Sequence, residues 1–273
     1  MYLSPYIMAS GSSFLSSTNT GLGNVLFQIA SCYGLAKQTG RTAVWNKLVA
    51  FANQLSERFG FHHKTTIFRN FLDTVDVPFR TVAERDPWAH DPELLRNLKE
   101  SSDPIELRGY LECVPYFDSY RSELVPLLSP DEGSLQKIRD TRPILFNPTY
   151  TTISVHFRGN EYLRGHCISR PWNYEYYRNA IAAFKHEPNP LFLIFSDDVG
   201  SIDVSFLGDM PYRILTSNPE DYLDLWSMSL CTHNILSKST FSFWAAYLNQ
   251  NPAKRVLYDK ADAKSFHAGF TPI

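Results

Sequence analysis

Ile153-Ser154-Val155-His156-Phe157-Arg158-Gly159-Asn160-Glu161-Tyr162 is the stretch on which the fold turns. Its first five residues read as a β-strand. Side chains alternate across a strand, so Ile153, Val155 and Phe157 share one face, while His156 and then Arg158 share the other. Arg158 therefore stands at the strand's carboxyl end, where ligands sit in an open parallel sheet. A guanidinium there suits a phosphate or a carboxylate, because its planar fork donates two parallel hydrogen bonds and keeps its charge.

Working outward, strand and helix signals alternate. A Tyr-rich helix near Asn173 to Phe184 precedes an apolar strand, Leu191 to Phe195. Arg213 to Leu215 is a weaker strand, Asp221 to Leu230 a helix, Asn234 to Leu236 a short strand and Phe241 to Leu248 a helix. This order predicts a parallel sheet covered by helices, with the strand ends on one rim. In the other direction, Leu22, Val25, Leu26, Ile29, Ala30 and Tyr33 recur at helical spacing and predict an amphipathic helix that stops at Gly40. Ala43 to Trp45 and Leu107 to Leu111 read as strands, and Tyr116 to Leu128 as a helix ending before Pro130. A Pro-containing stretch, Thr141 to Thr151, separates two halves, expected as domains 1–145 and 146–273.

The chain has 273 residues, a size that favours about two domains. With 44% hydrophobic and 20% charged residues it has the composition of a globular protein. A formal net charge of −2 and the lack of a Lys/Arg cluster argue against nucleic acid as a partner. No apolar run approaches the roughly 20 residues of a membrane helix, so no membrane span is expected. Met1 to Thr20 has neither the basic start nor the unbroken apolar core of a secretory signal. Four cysteines, Cys32, Cys113, Cys167 and Cys231, are widely spread without a Cys-x-x-Cys pair; they read as reduced thiols, with disulfides left open for a secretory protein.

Three further segments have residue types suited to ligand chemistry. Gly21-Leu22-Gly23-Asn24 opens a helix. Its glycines would let backbone approach a ligand while helix amides face it, or it is a simple helix start; it lacks the third glycine of a dinucleotide fingerprint, which weighs against an NAD-dependent oxidoreductase. Ser196-Asp197-Asp198 puts two carboxylates at a strand's carboxyl end, as a helix cap, a nucleotide contact or a metal pair. Lys238-Ser239-Thr240-Phe241-Ser242 leads into a helix whose dipole favours an anion, and the hydroxyls are either phosphate ligands or N-caps. Phe241, Phe243 and Trp244 read as core. His62, His63 and His166 lack metal-ligand spacing, and no Gly-x-Ser-x-Gly elbow is present.

Taken in order, these segments resemble the alpha-1,2-fucosyltransferase family, glycosyltransferase family 11. Gly21-Leu22-Gly23-Asn24 with Phe27-Gln28 is similar to its opening Gly-Leu-Gly-Asn-Gln-Met-Phe-Gln. Arg108-Gly109-Tyr110 with Tyr116-Phe117 resembles its middle segment, Ile153 to Tyr162 its His-x-Arg-Arg-Gly-Asp-Tyr motif, and Phe195-Ser196-Asp197-Asp198 its Phe-Ser-Asp-Asp. Met228 to Trp244 resembles its carboxyl-terminal signature. The likeness covers about residues 20–252.

The resemblance implies an α/β, GT-B-like fold of two facing Rossmann-like domains, the first on the acceptor side and the second binding GDP-fucose. It implies an inverting transfer of L-fucose to the 2-hydroxyl of a galactose-type acceptor glycan, with no metal cofactor. Carried onto this chain, Arg158 would hold the diphosphate and His156 would line the nucleotide site. Asp197 or Asp198 would contact guanine, and Ser239, Thr240 and Ser242 would complete a phosphate cradle. Gly21, Gly23 and Asn24 would approach the donor from the first half. Glu161, in the place of the family's Asp, is the candidate base, since inversion wants a carboxylate within reach of the attacking hydroxyl. Location follows the source: Golgi for a eukaryotic enzyme of this kind, cytoplasm for a prokaryotic one.

One departure stands out. Arg158-Gly159-Asn160-Glu161 replaces Arg-Arg-Gly-Asp, so the second guanidinium is missing and the acid is one methylene longer. A transferase-like protein that binds nucleotide or glycan without turnover is the competing expectation.

Overall fold

The computed structural model describes residues 1–6, 21–47, 50, 73–86, 88–159, 172–215, 220–261 and 269–273. Two compact α/β units make up the chain, the first built around Met1–Ser129 and the second around Pro130–Ala263 and Gly269–Ile273. The division falls upstream of the one expected at 145/146. Helix Glu132–Thr141 and the turn after it join the second unit because Lys137 pairs with Glu220, and the buried Arg142 pairs with Asp224 and donates to the Leu223 carbonyl at 2.9 Å.

In the first unit, strands β1 (Tyr2–Tyr6), β2 (Thr42–Ala43), β5 (Arg80–Ala83) and β6 (Ile105–Arg108) form a four-stranded parallel sheet in the order β2-β1-β6-β5. Strands β3 (Trp45–Asn46) and β4 (Thr74–Val75) pair separately. The expected strand at Ala43 to Trp45 is thus divided between two sheets.

Helix α1 (Leu22–Thr39) ends where expected: Gly40 takes the left-handed conformation (φ 68°) that lets a helix close its last turn. It is not amphipathic over its first half, where Val25 to Cys32 are buried without interruption. Gly34 accounts for its close packing, since a Cβ there would lie 2.1 Å from the Tyr116 carbonyl oxygen. Strand β6 stops at Arg108, short of the expected Leu111, because the backbone leaves the extended region at Gly109 (φ 158°) and Leu111 (φ 53°). Among the described residues the unit also has helices α2 (Pro92–Glu100) and α3 (Arg121–Leu128); two 3₁₀ turns, not a helix, span Val114 to Tyr120.

The second unit contains helix α4 (Glu132–Thr141) and strands β7 (Thr151–Phe157), β8 (Pro190–Ser196), β9 (Tyr212–Leu215), β10 (His233–Ile235), β11 (Val256–Tyr258) and β12 (Thr271–Pro272). All pairings are parallel, and the order is β9-β8-β7-β10-β11-β12. Counted from β7, that is 3-2-1-4-5-6, the doubly wound dinucleotide-fold order. The strand order reverses between β7 and β10.

Both faces of β7 are buried, as a sheet covered on two sides requires. Ile153, Val155 and Phe157 pack on one face with Tyr176, Tyr177 and Ala180 of helix α5 (Tyr174–Ala182); Phe157 stacks on Tyr177 with ring centroids 4.0 Å apart. On the other face the side chains are polar. The Ser154 hydroxyl accepts from Asn234 Nδ2 at 2.7 Å, and Asn234 Oδ1 accepts in turn from Asn249 Nδ2 at 2.9 Å. Helices α6 (Asp221–Ser229) and α7 (Thr240–Leu248) are buried on nearly every side; α7 is apolar over most of its length, whereas α6 buries Asp224 and Ser227 against Arg142.

Candidate active site

The reversal point between β7 and β10 is where an open α/β sheet leaves a crevice outside its strand ends. Both strands end there in residues that the sequence marks as candidate anion ligands. His156, 4% exposed, meets β10's exit through a 2.6 Å hydrogen bond between Nδ1 and the Ser237 hydroxyl. Tyr177 fixes the backbone behind it, donating from its phenol to the His156 carbonyl at 2.8 Å. Phe241 lies against the imidazole with a centroid separation of 5.5 Å. Phe243 and Trp244 are core, as expected, but Phe241 is only half-buried and covers the histidine.

Burial pushes the His156 imidazole down to about 3; the Arg158 charge adds to the effect and Asp197 opposes it. The ring is neutral at physiological pH. It therefore brings hydrogen-bonding capacity to the crevice without a second full charge beside Arg158.

Arg158 follows directly, partly exposed, with Nη1 donating to Asp197 Oδ2 at 3.2 Å. The other Asp197 oxygen accepts from the Gly159 amide at 2.7 Å. Trp172 Nε1 donates to the Arg158 carbonyl at 2.9 Å, so main chain and side chain are both anchored. Register explains the contact: His156 pairs with Phe195 and Phe157 with Ser196, which sets Arg158 beside Asp197 at the ends of two neighbouring strands.

Asp198 differs from Asp197. Its amide donates to the Ser196 hydroxyl at 3.0 Å, and its half-buried carboxylate has no hydrogen-bond partner among the described residues. Gly159 is shaped by this pair: a Cβ there would lie 2.4 Å from Asp198 Cβ and 3.1 Å from Asp197 Oδ1. A guanidinium at 159 has no room in this arrangement.

Helix α7 starts at the exit of β10. Ser239 is its N-cap and accepts from the Phe241 amide at 3.2 Å, a contact of about 1 kcal/mol. Ser242 is 1% exposed, and its hydroxyl lies 3.1 Å from the Ser237 carbonyl and 3.0 Å from that of Ser239. These two serines build the turn. Thr240 is half-buried at the first helical position, and the positive end of the peptide dipoles is directed at the crevice.

In the first unit, Gly21 opens α1 without a side-chain cap, and its carbonyl accepts from the Asn24 and Val25 amides at 3.0 and 3.2 Å. Gly23 is buried and Asn24 half-buried. Glu161, His62, His63, His166 and Cys167 lie outside the described residues. Cys32, Cys113 and Cys231 are free and buried, and burial raises the Cys113 thiol to about 11 and Cys231 to about 12, so none is a poised nucleophile. Among the described residues no group of three or more His, Cys, Asp or Glu could hold a metal ion, and no helix is long and apolar enough to cross a membrane.

Sequence reasoning missed Ser237 and Trp172. Ser237 was within reach, because it stands two residues beyond β10, at the strand end where the sheet order reverses. Trp172 lies before α5, with no local pattern to link it to Arg158.

Two parallel-sheet α/β units, the second doubly wound with its reversal point between β7 and β10, define a GT-B-like fold. The sequence profile of glycosyl transferase family 11 matches residues 128–270, and the chain belongs to that family. It is similar to the O-antigen biosynthesis glycosyltransferase WbnK of Escherichia coli, 28% identical over 60% of this chain and 57% of that protein. Against galactoside alpha-(1,2)-fucosyltransferase 1 of Alouatta caraya it is 30% identical, over 83% of this chain and 62% of the relative. The chain thus spans about three fifths of the length of these relatives. Among solved structures, NodZ alpha-1,6-fucosyltransferase soaked with GDP-fucose, from a protein of Bradyrhizobium, superposes with a TM-score of 0.56 at 14% identity, covering 96% of each chain. At that identity the likeness concerns the fold.

Proposed function

We propose that this chain transfers L-fucose from GDP-fucose to the 2-hydroxyl of a galactose-type residue in a glycan, with inversion and without a metal ion. The observation that carries it is the meeting of Arg158, the neutral His156 and the start of α7 at the β7/β10 reversal point. Family membership, and relatives named as alpha-1,2-fucosyltransferases, support the donor and the linkage.

As the bond between the fucosyl anomeric carbon and the diphosphate oxygen breaks, positive charge develops on the sugar and negative charge on the leaving GDP. Arg158 and the α7 amides stabilise that negative charge, the type of contribution whose loss costs about 10²–10³-fold in rate. In the tautomer whose Nδ1 accepts from the Ser237 hydroxyl, His156 carries its proton on Nε2 and is a neutral donor. The acceptor oxygen attacks the opposite face, and its proton passes to a base, for which Glu161 is the candidate. Asp197 is committed to Arg158 and Gly159, which leaves Asp198 to accept from guanine. Thr240 supplies a hydroxyl for phosphate, and Gly21, Gly23 and Asn24 are the first unit's candidate donor contacts. An enzyme of this kind would act in the Golgi of a eukaryote or the cytoplasm of a prokaryote.

The test is incubation of the protein with GDP-fucose and a galactoside panel, followed by linkage analysis. Release of GDP together with an α-1,2-fucosylated product is expected; a folded protein that transfers nothing from GDP-fucose sinks the reading. Gly159 favours one competitor, a binder without turnover, since the family's second cation is absent and Asp197 offsets part of the Arg158 charge. Calorimetry with GDP beside the transfer assay separates them: tight binding without turnover is the competitor's signature.

A further inference from the structure

The geometry points to a sugar-binding platform on the first unit, made by the exposed rings of Trp88 and Tyr110 and taking a neutral pyranose of a glycan. It rests on the reading of the chain as a transferase with a glycan acceptor, and assigns that acceptor a place. Strands β5 and β6 are neighbours, with Ala83 paired to Arg108, so the segments that follow them leave the sheet on the same rim. Trp88 follows β5 and Tyr110 follows β6; they are 54% and 44% exposed, unusual for large rings at the ligand end of a parallel sheet.

Neither ring is on a loose loop. Trp88 Nε1 donates to Glu112 Oε2 at 3.0 Å, and the Trp88 amide donates to Asp86 Oδ1 at 2.9 Å. Glu112 is itself buried, 6% exposed. Around Tyr110, the Glu84 carboxylate accepts from the Tyr110 amide and, at 2.9 Å, from that of Leu111, while Gln28 Nε2 donates to the Gly109 carbonyl at 2.8 Å. Leu111 is held at φ 53°, a costly conformation for a branched side chain, and such strain persists where surrounding contacts over-determine it. The backbone carrying Tyr110 is therefore fixed from two sides.

A tryptophan whose polar edge is used inward presents a flat apolar face outward. The face of such a ring carries negative quadrupole charge and attracts the weakly positive C–H groups along one side of a pyranose. Asp86 and Glu84 belong to the segments that hold the rings, accepting from the Trp88 and Tyr110 amides. Their charges, with that of Glu112, select against sialylated or phosphorylated sugars. Rigid presentation keeps the ordering cost of binding low.

The test uses the full chain. Of its tryptophans, Trp45, Trp226 and Trp244 are buried and Trp172 is half-buried, which makes Trp88 the main target of acrylamide quenching. Lactose is expected to protect this emission in the parent and not in Trp88→Leu, and sialyllactose is expected to protect it less. In transfer assays Trp88→Ala should raise the acceptor KM about tenfold, leave the KM for GDP-fucose alone, and be largely rescued by Trp88→Tyr. Tyr110→Ala gives an independent reading should Trp88→Ala fail to fold. No protection by saturating lactose, or equal protection by both sugars, overturns the assignment. Transfer with an acceptor KM indifferent to both variants removes the platform and leaves the transferase reading standing; protection without any transfer does the reverse.

Discussion

Arg158 and Asp197 form an ion pair, Nη1 to Oδ2 at 3.2 Å, across the carboxyl ends of β7 and β8, and the same carboxylate holds the next amide, that of Gly159, at 2.7 Å. One side chain thus orients both the cation and the main chain that carries it. The pair is partly solvated, so its worth lies in geometry more than in stability. Pre-orientation spares the ordering of a long guanidinium chain when a diphosphate arrives.

Arg158→Ala should lower kcat by about 10²–10³-fold while thermal unfolding stays close to the parent's, because Ile153, Val155 and Phe157 keep the apolar face of β7 intact. Steady-state kinetics beside a melting curve checks both halves. Parent-like turnover removes Arg158 from the mechanism.

The two aspartates should separate in their effects. Asp197→Asn is expected to slow turnover by up to about 10²-fold with GDP affinity retained or tightened, since it loosens Arg158 and removes a neighbouring negative charge. Asp198→Ala should weaken GDP, and erase its preference over ADP, by roughly 1.5–3 kcal/mol, the worth of a hydrogen bond to a charged group. Calorimetry decides: a loss of GDP affinity in Asp197→Asn would return the guanine contact to that residue.

Much of the second unit was legible because strands buried on both faces and helices covered almost all round leave strong apolar runs in the sequence. The apolar run Leu191 to Phe195, the alternation in Ile153 to Phe157 and the helix start at Ser239 each reflect a local rule that tertiary structure obeys. Strand β1 was hidden by Pro5, which lacks the amide of a ladder; it is tolerated because pairing with β2 reaches only as far as Leu3. Helices α2 and α4 carried unread signals, since Asp91 and Asp131 each cap a first turn. The Arg158–Asp197 pair was out of reach for another reason. It depends on which strands are neighbours and in what register, and neither segment encodes that by itself.

Gly159→Ala should destabilise the second unit by about 1–3 kcal/mol, because the new Cβ is 2.4 Å from Asp198 Cβ and the strand ends must separate to admit it. The same shift disturbs the amide held by Asp197, so GDP affinity should fall as well. Denaturant unfolding with a GDP titration tests the pair of effects; a variant of unchanged stability means that the strand ends yield freely.

EDTA should leave turnover unchanged if anion stabilisation belongs to Arg158 and the α7 amides. Added magnesium or manganese should then give no more than an ionic-strength effect. Activity lost on chelation and restored by either ion would assign that role to a metal.

His156 makes the proposed site acid-sensitive in a defined window. Its folded-state value, about 3, lies below the ordinary 6.5, chiefly because burial penalises the imidazolium. The unfolded chain therefore binds more protons than the native one between those values, and stability falls as the pH is lowered through that range. The contribution is fully present above 6.5 and is lost progressively toward 3. His233, also shifted downward by burial, adds to the same slope. His156→Gln keeps a neutral hydrogen-bonding side chain but removes one titrating group, so the fall in melting temperature across this window should become shallower without vanishing. A variant whose acid slope equals the parent's would mean that His156 is already hydrated and protonated in the native protein, and the neutral donor assigned to it would have to be given up.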